Sequence, residues 1–161
     1  MSQYLKKRGG AVLITLSNGP LNTLSHNVRV ELMHNLERAR VEKASAVVIM
    51  GEGQHFSAGP DFKEFARGLQ ASPSVREIVS YLDTYPTHVI AGMHGVSLSS
   101  AFETALACHW RIANESATFG LPDVTVGKIP GASCNIKYIY FLASYDQSYS
   151  QELEERNVSL D

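Results

Sequence analysis

Glu103 and Asp123 each lie just beyond a turn made of small residues, a placement from which a carboxylate can exchange protons with a bound molecule. Three segments carry the pattern: Phe56-Ser57-Ala58-Gly59-Pro60-Asp61, then Gly95-Val96-Ser97-Leu98-Ser99-Ser100-Ala101-Phe102-Glu103, then Phe119-Gly120-Leu121-Pro122-Asp123 with Gly127-Lys128-Ile129-Pro130-Gly131-Ala132. Each sits at the exit of a buried strand. Small side chains there let backbone approach a ligand closely, and helices starting at such exits aim N–H groups at any negative charge that develops. Taken singly, Glu103 reads as a solvated helix residue and Asp123 as a loop acid. Glu103 resists that reading, because its helix is rich in Ala, Leu and Phe and an unpaired charge buried there would be costly.

The elements that position these segments alternate in type. Gly9-Gly10 separates a short polar strand from the apolar, β-branched run 11–16, so the chain opens with a hairpin. Ser25 is placed to cap a helix in which Val28, Leu32, Leu36 and Ala39 share a face. The run 46–50 is the next buried strand, ended by Gly51-Glu52-Gly53, and a short helix follows from about Asp61. Ser72-Pro73 supplies a cap and a first-turn proline for a helix carrying Val75, Ile78, Val79 and Leu82. A strand over 87–93, a tightly packed helix from Ser97 to Cys108 and a strand over 109–113 complete the series. Such alternation predicts an α/β domain with largely parallel strands inside. The apolar run 136–142 predicts a further helix or strand, ahead of a polar, frayed tail.

With 161 residues, 44% of them hydrophobic, and a formal net charge of −2, the chain can bury a core of its own without metal or disulfide staples. Near-neutral charge and scattered Lys and Arg argue against a nucleic acid or an anionic membrane as partner. Cys108 and Cys134 sit in apolar stretches without the spacing of a zinc site and read as small buried hydrophobes of a reducing compartment. No signal-like start and no run near ~18 apolar residues is found, so an intracellular, soluble protein is expected. Asn157-Val158-Ser159 is then a chance match to a glycosylation site. Gly51-x-Gly53-x-x-Phe56 lacks the third glycine of the dinucleotide fingerprint, and Gly95-x-Ser97-x-Ser99 lacks the last glycine of a nucleophile elbow. The six histidines form no i, i+4 pair, and no metal site is expected.

From about Tyr4 to Ala132, the order and spacing of the three segments resemble the crotonase, or enoyl-CoA hydratase/isomerase, superfamily. Cys108-His109-Trp110-Arg111-Ile112-Ala113 and the run 120–127 are most similar to the hydratase domain of its peroxisomal bifunctional branch in fatty-acid β-oxidation. The resemblance implies a crotonase-type spiral of repeated ββα turns over 1–132 and a divergent segment over 133–161. It also implies a CoA thioester substrate with no metal or redox cofactor, coenzyme A being part of the substrate. It implies assembly as a homo-oligomer, usually trimers or trimer pairs, although bifunctional members can be monomeric; a mixed oligomer with full-length relatives is the alternative expectation for a shortened chain. In hydratases of this kind two backbone N–H groups hold the thioester oxygen as it becomes an enolate, while two carboxylates manage the water added across the 2,3 double bond. Carried over, the donors fall at Pro60 and Ser100, with Gly59 beside them, and the acids at Glu103 and Asp123. Ser57, Ala58, Asp61, Phe62 and Lys63 flank the CoA. An isomerase would need only one carboxylate shuttling one proton.

Several departures bear on that implication. Proline has no N–H, and losing an oxyanion donor costs about 10²–10³ in kcat; the Gly59 N–H is the candidate replacement. Asp123 is one methylene shorter than the family's Glu, and Ser99-Ser100-Ala101 stands where glycines are usual, its added Cβ atoms narrowing the approach. After Ala132 the usual Gly-Gly-Thr-Gln-like continuation gives way to Ser133-Cys134-Asn135-Ile136, and the family's C-terminal helical part is expected to be lacking, leaving apolar surface uncovered. The expectation is a weakened hydratase/isomerase; the alternatives are a catalytically silent acyl-CoA binder or partner subunit, and a chain that does not fold stably alone. A peroxisomal location rests on the resemblance only, since no Ser-Lys-Leu signal ends the chain, and cytoplasm and mitochondrion stay open.

Overall fold

The computed structural model describes residues 3–66 and 71–127. The expectations placed on Lys128 to Ala132, on Cys134, on the apolar run 136–142 and on the tail lie outside the described residues.

A five-stranded sheet carries the core. The strands β1 (Gln3–Lys6) and β2 (Val12–Leu16) form the expected antiparallel hairpin, with Tyr4 opposite Ile14. Then β2, β3 (Val47–Gly51), β4 (Val89–Met93) and β6 (Trp110–Ala113) run parallel, in the order β1-β2-β3-β4-β6. Along β2, β3 and β4 every second residue is buried, so Val12, Ile14, Leu16, Val47, Ile49, Val89, Ala91 and Met93 form one apolar face. Helix α1 (His26–Val41) covers that face with Val28, Leu32, Leu36 and Ala39, and α3 (Val75–Asp83) adds Ile78, Val79 and Leu82. Each of the Val, Leu, Ile and Met side chains among them contributes roughly 1.5–3 kcal/mol when withdrawn from water.

A second, smaller sheet sets the site. Strand β5 (Val96–Leu98) pairs in parallel with β7 (Thr118–Gly120), and single bridges join Ser57 to Ser97 and Leu24 to Pro60. Each turn of chain thus gives one strand to the large sheet and a short extended piece to the small one before a helix starts. This is the ββα spiral that was expected, and it stacks the three small-residue segments side by side.

Three local expectations are corrected. Ser25 stands at the N-cap of α1 but makes no side-chain cap bond; separately, the first amide, His26 N–H, donates to the Glu64 carboxylate on α2 (Phe62–Ala66). The cap of α3 is Ser74, not Ser72: Ser74 Oγ accepts from Glu77 N–H at 3.2 Å, and Glu77 Oε2 accepts from Ser74 N–H at 2.7 Å. That reciprocal box satisfies two amides, and Ser72 supports it by donating to Glu77 Oε1 at 2.8 Å. The helix expected from Ser97 begins at Ser100 as α4 (Ser100–Ala107), because Ser97 is drawn into β5 by pairing with Phe119.

Acid sensitivity follows from the surface carboxylates. Hydrogen bonds from Arg40 and Tyr81 hold Glu37 down from 4.5 to about 2, and bonds from Lys6, Arg38 and Tyr4 do the same for Glu42. Burial works to raise Glu64, but the His26 amide and the Arg29 guanidinium outweigh it and leave the carboxyl below its ordinary value. Carboxyls depressed by folding stabilise the native state above their unfolded pKa and lose that contribution as pH falls through the folded one. The melting temperature is therefore expected to fall between about pH 4.5 and pH 2, less steeply in high salt for the exposed Glu37 and Glu42. A melting temperature unchanged down to pH 2 would show that these bonds do not persist in solution.

Candidate active site

The first segment is held by backbone on both sides. Ser57 N–H donates to Val96 O at 3.1 Å, Leu98 N–H donates to Ser57 O at 3.1 Å, and Leu24 N–H donates to Gly59 O at 2.8 Å. Ser57 is wholly buried and its Oγ accepts from Gly59 N–H at 3.2 Å, so its side chain shapes the turn. That bond also corrects the expectation for Gly59: the amide that was to replace the missing Pro60 donor is spent on Ser57. Ala58, Pro60 and Asp61 are half-buried, whereas Phe62 and Lys63 are exposed at the start of α2, where Asp61 Oδ1 accepts from Lys63 N–H at 2.9 Å.

Gly59 is where the first segment meets the second. Its φ is +95°, and a Cβ there would stand 2.6 Å from Leu98 O and 3.1 Å from Ser99 Cβ. Gly59→Ala therefore combines left-handed strain with a clash against backbone, and is expected to cost about 2–3 kcal/mol, or roughly 4–12 °C in Tm. A thermal melt within about 2 °C of the parent would show that the two segments are not in close contact.

The second segment turns from β5 into α4 through Ser99, whose backbone (φ 51°, ψ −130°) lies in a region that suits glycine. Ser99 N–H donates to Gly120 O at 2.9 Å, and Ser99 O accepts from Glu103 N–H at 3.0 Å. Its hydroxyl does not cap the helix but donates to Asp123 Oδ1 at 2.7 Å. Ser99 thereby ties the Asp123 carboxylate to the start of α4, while its bond with Glu103 is the ordinary backbone bond of the helix's first turn. All eight residues of α4 are buried, and Glu103, one turn in, is 3% exposed, which rules out a solvated helix residue. Ser100 opens α4, where the helix itself supplies no acceptor for the backbone N–H.

Asp123 stands in the third segment, in a 3-10 turn over Pro122–Val126 directly after β7. Phe119 on β7 stacks on Phe102 of α4, with ring centroids 5.3 Å apart and planes at 26°, and locks the turn beside the helix. Asp123 is half-buried; its Oδ1 takes the Ser99 bond, while its Oδ2 is covered yet has no hydrogen-bond partner.

The fold therefore brings Pro60, Ser100, Glu103 and Asp123 to the N-terminal end of one buried helix. That arrangement can stabilise negative charge with the α4 dipole and move protons with two carboxylates. Sequence reasoning missed the Ser99 to Asp123 bond. Its only trace in the sequence is a serine where the resemblance implies glycine and an aspartate where it implies glutamate, 24 residues apart. Among the described residues, no three His, Cys, Asp or Glu side chains are grouped to hold a metal ion.

Comparison with known proteins agrees with the geometry. The family model described as enoyl-CoA hydratase/isomerase matches residues 6–140. A peroxisomal bifunctional enzyme of Danio rerio is 41% identical over 133 residues, covering 82% of this chain and 18% of that protein. A probable enoyl-CoA hydratase of Bacillus subtilis is 37% identical over 126 residues, covering 74% of this chain and 49% of that protein. The crystal structure of an enoyl-CoA hydratase from Bacillus anthracis matches with a TM-score of 0.78 at 31% identity, covering 85% of this chain and 56% of the other. The chain thus spans less than two thirds of the length of each, and over that span it has the crotonase-type fold.

Proposed function

Since the chain belongs to the enoyl-CoA hydratase/isomerase family, we propose that it is a hydratase/isomerase-type module acting on 2-enoyl-CoA thioesters. The observation that carries this reading is the hydrogen bond from Ser99 Oγ to Asp123 Oδ1, which holds one carboxylate at the start of α4, the helix in which Glu103 is buried one turn in and Ser100 presents its amide. In the proposed hydration, Glu103 is the principal acid/base and Asp123 its partner. A carboxylate draws a proton from water as the oxygen adds to C3, charge moves onto the thioester oxygen at the Ser100 N–H, and C2 is then protonated. Only water and protons move, so the module asks for no redox cofactor. The isomerase variant of this chemistry moves one proton between C4 and C2 on the same acid.

A second reading, a catalytically silent acyl-CoA binder or partner subunit, is favoured by one observation: Pro60 has no N–H and that of Gly59 is already engaged. Purified protein incubated with crotonyl-CoA decides between them. Formation of 3-hydroxybutyryl-CoA well above a Glu103→Ala control supports the enzyme. Bound crotonyl-CoA without turnover leaves the silent binder. A place in peroxisomal fatty-acid β-oxidation is proposed from the relatives named for it. No helix among the described residues is long and apolar enough to cross a membrane.

A further inference from the structure

The Ser100 side chain is left over by everything described so far. Its Oγ is covered, has no hydrogen-bond partner among the described residues, and belongs to a residue that is 91% buried, with 9% of its surface exposed. A buried hydroxyl left unsatisfied costs about 1–3 kcal/mol. Serines inside helices escape that cost by bonding a carbonyl one turn back, as Thr104 does with Ser100 O at 2.8 Å. Ser100 is the first residue of α4 and has no earlier turn to use. Its hydroxyl is therefore free for an acceptor that the described residues do not supply.

The segment that lacks a donor packs against the turn that leads into α4. Pro60 lacks an N–H, the Gly59 N–H is taken by Ser57, and Gly59 packs directly against Leu98 O and Ser99 Cβ, the two residues that lead into Ser100. We propose that the Ser100 hydroxyl is the second oxyanion donor of this site, standing in for the amide that Pro60 cannot provide. A single residue then offers two donors to one thioester oxygen: its backbone N–H and its Oγ–H. The hydroxyl donates a hydrogen bond and no proton is transferred. The inference rests on the thioester reading above and goes beyond it in assigning the side chain.

The test is a double-mutant cycle on the full chain with two probes. Crotonyl-CoA reports turnover, and acetoacetyl-CoA reports the oxyanion site directly, because donors to its oxygen favour the ultraviolet-absorbing enolate. Ser100→Ala is expected to lower kcat/KM by about 10²–10³ and to weaken the enolate band of bound acetoacetyl-CoA, with affinity for free CoA unchanged. Ser100→Thr, which keeps a hydroxyl, should retain most of both signals. Pro60→Ala returns an amide, so in that background Ser100→Ala should cost less than about tenfold. Equal losses in both backgrounds, an unchanged enolate band, or loss of free CoA binding would overturn the assignment and leave Ser100 with a structural role. If Ser100→Ala does not fold, the remaining arms decide: the hydroxyl assignment fails if Pro60→Ala alone raises the enolate band of the parent by about 10²-fold or more. Absence of thioester binding in every variant, the parent included, would instead remove the premise; binding with no dependence on Ser100 removes only the hydroxyl.

Discussion

Replacing Glu103 by glutamine is expected to slow hydration of crotonyl-CoA by about 10²–10⁴-fold while leaving thioester binding and the far-ultraviolet spectrum unchanged. Glutamine has nearly the shape of glutamate and keeps an accepting oxygen, but it cannot take a proton from water. The residue is 3% exposed, one turn into a helix whose eight residues are all buried, and its amide is fixed to Ser99 O at 3.0 Å. The helix backbone beneath the side chain is thus fixed, and a substitution of nearly the same shape tests proton transfer with the least change of packing. The loss should appear in kcat with little change in KM, because a group that acts in the transition state contributes little to ground-state binding. A kcat within a few fold of the parent would take the acid/base role away from Glu103 and, with it, the hydratase reading.

Replacing Arg29 by methionine is expected to lower stability by about 3–5 kcal/mol, a fall in Tm of roughly 6–20 °C. Arg29 is 7% exposed and holds four partners from three parts of the chain. Its Nε donates to Pro73 O at 2.7 Å and its Nη2 to Ala71 O at 3.3 Å; its Nη1 donates to Leu24 O at 2.6 Å and pairs with Glu64 Oε2 at 3.0 Å. Glu64 in turn accepts the first amide of α1. Methionine keeps the apolar stem but strands a mostly buried carboxylate and three carbonyls, and an unmatched buried charge costs more than a lost pair contributes. Adding Glu64→Gln should recover part of the loss, because it removes the unmatched charge and keeps an acceptor for His26. A differential scan of the two variants checks this; a single variant that melts with the parent would show the network to be dispensable. The network ties α2, which begins two residues after Pro60, to the start of α1, so the single variant is also expected to bind crotonyl-CoA less tightly.

Much of the architecture was legible because it rests on short-range pattern. The alternating burial of β2, β3 and β4 and the i, i+4 stripe of α1 follow from side-chain periodicity, and periodicity needs no knowledge of partners. Boundaries were read less well wherever a distant contact competed with a local preference. Ser97 looked like the start of a helix until pairing with Phe119 and the bridge to Ser57 made it strand. Ser25 had the right type and place for a cap, but its hydroxyl accepts from Asn18 Nδ2 at 3.4 Å instead, and a helix amide that no N-cap side chain reaches, His26 N–H, goes to the distant Glu64 carboxylate. Ser74 displaced Ser72 because only its spacing to Glu77 closes the reciprocal pair.

The chemistry divides along the same line. Residue types and order alone determined that two acids and three small-residue turns belong to one family pattern, and that Pro60 lacks a donor, because those are properties of covalent structure. Only the tertiary structure decided that Gly59 spends its amide on Ser57, that Ser99 accepts glycine-like backbone angles and holds Asp123, and that the Ser100 hydroxyl is buried without a partner. A hydrogen bond between residues 24 apart depends on where two turns of the spiral come to rest, and position in space is set by packing of the whole core rather than by neighbours along the chain.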